Sequence, residues 1–139
     1  MKSDYYFKFE VLKLYQKAIE FGEQINSQTE NFPSHETYKL SSQFSRAADS
    51  IALNIAEGSA ITDANFVGHL KMAWDSCYEC VAASTKTRLR NYITFKVDEQ
   101  NRRHITEISK MISALIKHLK NKPQFNMKTH LSLLINCSL

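Results

Sequence analysis

The chain has 139 residues, 43% hydrophobic and 23% charged, with a formal net charge of +4; this is one domain's worth of sequence with enough apolar residues for a single core. Three glycines and two prolines are too few turn formers for a many-stranded β fold, so the composition predicts a few long helices. No stretch approaches the roughly 18 to 20 apolar residues of a membrane span, and Met1 to Tyr6 lacks the apolar core of a signal peptide, so the expectation is a cytoplasmic chain with no membrane partner.

The first predicted helix covers about residues 6–27, where Val11, Leu14, Tyr15, Ala18, Phe21, Gly22 and Ile25 follow a three-and-four spacing. Gly22 within that stripe costs about 1 kcal/mol of helix propensity relative to alanine, which predicts a close helix approach there. The second helix is predicted over 33–57, with Pro33 in its first turn, Gly58 just past its end, and Leu40, Phe44, Ala47, Ile51 and Ile55 as its apolar stripe. Leu53 sits off that stripe.

Thr62 or Asp63 is the expected N-cap of a third helix over 63–91, whose stripe is Phe66, Leu70, Ala73, Cys77, Val81 and Ser84. Cys77 and Cys80 have the CxxC spacing, but they lie in a helical run without a second such pair and read as packing residues. The fourth helix is predicted over 98–120, with Ile105, Ile108, Ile112, Leu115 and Leu119 as a coiled-coil-like seam. Short connections between four such helices favour an all-α, up-down-up-down antiparallel bundle over residues 1–122. Met111 and Ile116 flank the seam, either to widen the core or to serve self-association. Residues 123–139 form a C-terminal tail, docked or disordered.

The second helix also carries a polar stripe, Arg46, Ser50, Asn54 and Glu57, running into Gly58. With Phe32-Pro33-Ser34-His35-Glu36 before it and the run Asn54-Ile55-Ala56-Glu57-Gly58 closing it, this segment resembles the bacterial four-helix bundle family of 23S ribosomal RNA intervening-sequence proteins. Phe9-Glu10, Leu12-Lys13 and Tyr15-Gln16-Lys17-Ala18 echo the family's first helix, as Phe66, Leu70, Ala73, Ser76 and Glu79 echo its third; the resemblance spans about Phe9 to Leu119. Two positions depart from the pattern. The loop Ser59-Ala60-Ile61-Thr62-Asp63 has no basic residue, and Cys80-Val81 stands where a second glutamate is common. The resemblance implies a homopentamer around a central channel. It also implies kinship with the nucleic-acid-binding accessory proteins of diversity-generating retroelements, which makes a reverse transcriptase or other nucleic-acid enzyme a candidate partner. For Arg46, Ser50, Asn54, Glu57 and Gly58 a structural role is the favoured reading, since a bundle's semi-buried polar groups need partners.

No Gly-rich phosphate loop, nucleophile elbow or His-Glu-x-x-His occurs, and the Glu-x-x-His of dimetal bundles is missing too, so neither enzyme activity, cofactor nor metal is expected. Charge points elsewhere. Residues 1–79 carry seven Lys/Arg against eleven Asp/Glu, whereas residues 80–139 carry eleven against three. Lys86, Arg88, Arg90 and Lys96 surround the third connection, and Arg102, Arg103, Lys110, Lys117, Lys120 and Lys122 follow along the last helix. Arg103, Lys110 and Lys117 step by seven and align on one flank. A row of charges is most often a solvated face; repeated by symmetry it becomes a field able to hold the phosphates of RNA or DNA. Tyr92 and Phe95 are the chief aromatics nearby, which argues against base stacking and for backbone-directed binding with little sequence preference. The competing reading is a protein-interaction scaffold whose basic half meets acidic surfaces.

Overall fold

The computed structural model describes residues 2–123; the tail proposal for 123–139 falls, apart from Pro123, outside the described residues. Four α-helices and no strand occur among them: α1 (Lys13–Thr29), α2 (Leu40–Ser59), α3 (Asp63–Leu89) and α4 (Phe95–Lys120). Cross-helix contacts fix their directions. Asn26 and Thr29 of α1 meet Asp49 and Ser45 of α2, Ser50 and Asn54 of α2 meet Ser76 and His69 of α3, and Thr85 and Arg88 of α3 meet Arg102 and Asp98 of α4. Lys17 and Gln28 of α1 reach Glu107 and Asn101 of α4. In every pair the numbers run in opposite directions, so each helix is antiparallel to its neighbours.

The apolar stripes meet in one core. Ala18, Phe21, Ile25, Phe44, Ile51, Ile55, Leu70, Ala73, Cys77, Cys80, Ile108 and Ile112 are all buried. Met111 and Ile116 pack against this core and widen it, while Leu53 is exposed. Cys77 and Cys80 are buried and free, and burial pushes the Cys77 thiol up to about 12.

Several predicted boundaries are corrected. The first helix starts at Lys13 rather than near residue 6, because Lys8–Val11 form a separate 3-10 turn, closed by the Glu10 carboxylate on the Phe7 N–H, and Leu12 is extended. The second starts at Leu40, not at 33. Ser34–Glu36 make another 3-10 turn, and the Glu36 carboxylate turns back to accept the Leu40 N–H at 3.2 Å, acting as the cap that begins α2. Thr62 caps α3 by accepting the Asn65 N–H, as its sequence position suggests. Thr94 does the same for α4 through Val97, which moves that start ahead of 98.

Helix α3 ends at Leu89, before the expected 91. Asn91 takes the left-handed conformation (φ 63°), the Tyr92 N–H bonds to the Thr87 carbonyl and the Asn91 N–H to that of Arg88. This is the Schellman closure with asparagine in the usual glycine place.

Gly58 does not play that terminating part in α2. It lies inside the helix with ordinary φ, and a Cβ there would fall 2.5 Å from the Cβ of His69. Its use is close approach of α2 to α3. Gly22 likewise brings α1 against α2, beside Asp49.

Candidate nucleic-acid interface

The third connection brings the last turn of α3 and the first turn of α4 side by side, and with them most of the chain's arginines. Asp98, on the inner side of the first turn of α4, is buried. Ser84 Oγ donates to its Oδ1 at 2.7 Å, Arg88 Nε to its Oδ2 at 2.9 Å, and Arg102 Nε to both oxygens at 3.1 Å. Arg102 also donates to Thr85 Oγ1. Asn101 extends the network, bonding Ser84 and exchanging two hydrogen bonds with Gln28 of α1. Burial alone would raise the Asp98 pKa; the Ser84 hydroxyl and the guanidiniums of Arg102 and Arg88 outweigh it and hold the carboxyl below its usual value.

A second buried carboxylate uses the remaining arginine of the connection. Glu36 accepts from Arg90 Nη1 at 2.6 Å, from Tyr92 Oη at 3.1 Å and from the Leu40 N–H. Burial pushes its pKa up, but the Leu40, Tyr92 and Arg90 contacts together bring it below the ordinary range. Tyr92 also packs on Phe32, their ring centroids 5.3 Å apart, so this ring is spoken for within the fold.

The predicted basic set therefore divides. Arg88, Arg90 and Arg102 neutralise inward-facing carboxylates. Lys86, Lys96, Arg103, Lys110, Lys117 and Lys120 are exposed, and none makes an ion pair among the described residues. Arg103, Lys110 and Lys117 sit on the outer flank of α4, opposite its buried Ile105, Ile108 and Ile112. Lys122 approaches Asp63 at 3.8 Å. Glu107 turns towards α1, where Lys17 holds it at 2.6 Å.

The polar stripe of α2 faces α3. Ser50 Oγ lies 2.5 Å from Ser76 Oγ, Asn54 pairs with His69 Nδ1 at 3.2 Å, and Glu57 approaches the same ring at 3.9 Å. Arg46 stays exposed and lines a cleft of about 690 Å³ with Tyr38, Lys39, Gln43 and Glu79. No group of three or more His, Cys, Asp or Glu side chains suited to a metal ion occurs among the described residues. No described helix is long and apolar enough to cross a membrane.

Sequence reasoning missed Asp98 and Glu36 as anchors. The sequence offered the pair Asp98-Glu99, the only acids between Glu79 and Glu107, as partners for the arginines around them, but not which of the two is buried. Sequence reasoning placed Phe95 near the cations but missed Tyr78 and Leu89, which are exposed on the same side of the bundle, and so counted too few aromatics there.

Such a bundle, with a polar zipper between α2 and α3 and a carboxylate locking α3 to α4, defines a helical scaffold with a basic outer flank. The chain belongs to the 23S rRNA-intervening sequence protein family, whose pattern matches residues 10–114. A crystal structure from Bacteroides thetaiotaomicron, of a protein of unknown function from the S23 ribosomal protein family, superposes with a TM-score of 0.70 at 25% identity, over 75% of this chain and 98% of that one. No curated protein matches the sequence.

Proposed function

We propose that this chain is a non-enzymatic, cytoplasmic bundle that binds RNA or DNA through the outer flank of α4 with little sequence preference. The observation that carries the reading is the division of the cations: three arginines are consumed by inner carboxylates, while Arg103, Lys110 and Lys117 are left exposed at a spacing of about 10.5 Å along the helix axis. Lys86, Lys96 and Lys120 extend the same field. Its use is to hold phosphates, the sequence-independent part of nucleic-acid recognition.

Self-association, as the homopentamer that the family resemblance implies, is part of the proposal. Exposed Ile19 and Leu53 flank a groove of about 260 Å³ between α1 and α2, on the side away from the basic row, so assembly there leaves the cations free. A reverse transcriptase or another nucleic-acid enzyme is the proposed partner class.

The test is a Lys110→Glu/Lys117→Glu variant, with RNA affinity followed by anisotropy over a salt series. The expected result is a large loss of affinity and a shallower salt dependence, by about 0.7 in log–log slope for each lost contact to a single strand. Unchanged binding by a folded variant refutes the basic-flank reading. Failure of the wild type to bind RNA at low salt, with its oligomer intact by light scattering, favours the protein-interaction scaffold.

A further inference from the structure

The basic flank has apolar company. Phe95 is 68% exposed, Leu89 67% and Tyr78 61%. The Arg102–Thr85 hydrogen bond marks where the outer edges of α3 and α4 meet. Tyr78 precedes Thr85 by seven residues and Leu89 follows it by four, so all three share that side of α3. Phe95 precedes Arg102 by seven and shares that side of α4. The two helices are antiparallel, which puts Phe95 and Leu89 together at the connection and Tyr78 farther down, roughly 16 Å away along the bundle.

Trp74, four residues before Tyr78, packs beside it with ring centroids 5.4 Å apart and props the tyrosine from below. Arg103, Lys110 and Lys117 run along the adjoining edge of α4. Besides buried Asp98, two acids share this helix with the row: Glu99 lines a shallow pocket with Lys96 and Arg103, and Glu107, between Arg103 and Lys110, is held towards α1 by Lys17. Glu79 leans the other way, into the cleft with Arg46.

Large apolar side chains exposed within a basic face suit an occupant that offers both charge and flat apolar surface. A duplex offers its phosphates to such a face but keeps its base faces stacked inside. A single strand offers both, since every base has a π-face and stacking on aromatic side chains tolerates any sequence. We propose that the outer face between α3 and α4 is a track for single-stranded nucleic acid, with Tyr78 and Phe95 as stacking platforms and Arg103, Lys110 and Lys117 as the phosphate rail. The inference rests on the phosphate-binding reading above and narrows it from nucleic acid in general to unpaired strands.

The experiment compares labelled oligouridylate, oligothymidylate and a duplex of the same length against wild type, Tyr78→Ala, Phe95→Ala and Tyr78→Phe, at low salt. The expected result is preference for both single strands over the duplex. Each alanine variant should lose roughly tenfold in single-strand affinity, with its salt slope and melting temperature unchanged, while Tyr78→Phe keeps wild-type binding. Equal affinity for duplex and single strand, with the alanine variants unaffected, overturns this inference and leaves the phosphate-binding reading standing. Absence of binding to all three probes overturns both. Loss of binding in Tyr78→Phe as well as Tyr78→Ala overturns the stacking role, because the ring is retained.

Discussion

Three glycines sit in three different environments, and replacing each by alanine should give three different results. In a helix interior the change is worth about 1 kcal/mol in favour of alanine when nothing opposes it. At Gly68 of α3 a Cβ meets nothing within 4 Å, so Gly68→Ala should stabilise by about 0.5–1 kcal/mol. At Gly58 the added methyl lands 2.5 Å from the Cβ of His69 and 3.0 Å from Cδ1 of Phe66. The His69 Cβ is bonded directly to the α3 backbone and cannot swing aside, so α2 and α3 must separate. Overpacking of that kind costs about 1–3 kcal/mol. Taking the upper part of the range and subtracting the propensity gain leaves a net loss of about 1–2 kcal/mol. For a domain of this size that is a Tm drop of about 4–8 °C, against a rise of a few degrees for Gly68→Ala. At Gly22 the nearest atom is Asp49 Oδ1 at 2.9 Å, the end of a flexible side chain, and the result should be close to neutral. Thermal melts followed by circular dichroism, with urea titrations to check that m is unchanged, read all three. A Gly58→Ala protein melting at or above wild type would refute the reasoning, as would shifts of the same sign at 58 and 68.

Asp98→Asn leaves two guanidiniums around a neutral amide. Removing one partner of a buried pair costs about 3–5 kcal/mol, but Arg88 and Arg102 are each about a third exposed, so about 2–3 kcal/mol is expected from urea unfolding; a loss below about 0.5 kcal/mol would show the network to be dispensable. The same site governs acid behaviour. The folded-state pKa values of Asp98 and Glu36 lie below their ordinary values of 3.8 and 4.5, so their contribution is present above those values and is lost as pH falls through the depressed ones. Wild-type stability should therefore decline below about pH 4.5, and the decline should be shallower in Asp98→Asn, a difference that pH-dependent melting measures directly. Burial pushes the Cys77 thiol to about 12 and raises Cys80 further, with Cys77, Glu79 and Asp49 adding to the rise. In a Cys137→Ser background a thiol reagent at pH 8 should find essentially no reactive thiol until denaturant is added; prompt labelling of the native protein would contradict the packing reading.

Much of the helical core was legible because its residues obey one rule. Leu40, Phe44, Ala47, Ile51 and Ile55 repeat at helical spacing, and all are buried. Helix starts were less legible because they are set by single side chains acting at a distance in the chain. Pro33 looks like a first-turn proline, yet the Glu36 carboxylate moves the start of α2 to Leu40. Gly58 reads as a terminator by position, whereas its neighbour across the interface, His69, decides its role. In the basic region, sequence spacing put Arg88, Arg90 and Arg102 in the same set as Arg103. A helix turns 100° per residue, so Arg102 and Arg103 part company: one reaches inward to Asp98, the other faces water. That division needs knowledge of which acid is buried, and neither composition nor periodicity contains it.

The Asp98 clasp also bears on how the chain finds its fold. Arg88 and Asp98 are ten residues apart, and Ser84 only fourteen from the same carboxylate, so the loop that must close to form these contacts is short and entropically cheap. The α1 to α4 contacts, by contrast, span 73 residues at Gln28–Asn101 and 90 at Lys17–Glu107. The clasp also sets a cation at the C-terminal end of α3 and an anion at the N-terminal end of α4, the sign that each helix dipole favours. The α3–α4 hairpin, like the α2–α3 hairpin whose Asn54–His69 contact spans 15 residues, is thus expected to form early, with the α1–α4 seam closing last. Substitutions at Ser84 or Asp98 are expected to slow folding, whereas those at Lys17 or Gln28 are expected chiefly to hasten unfolding.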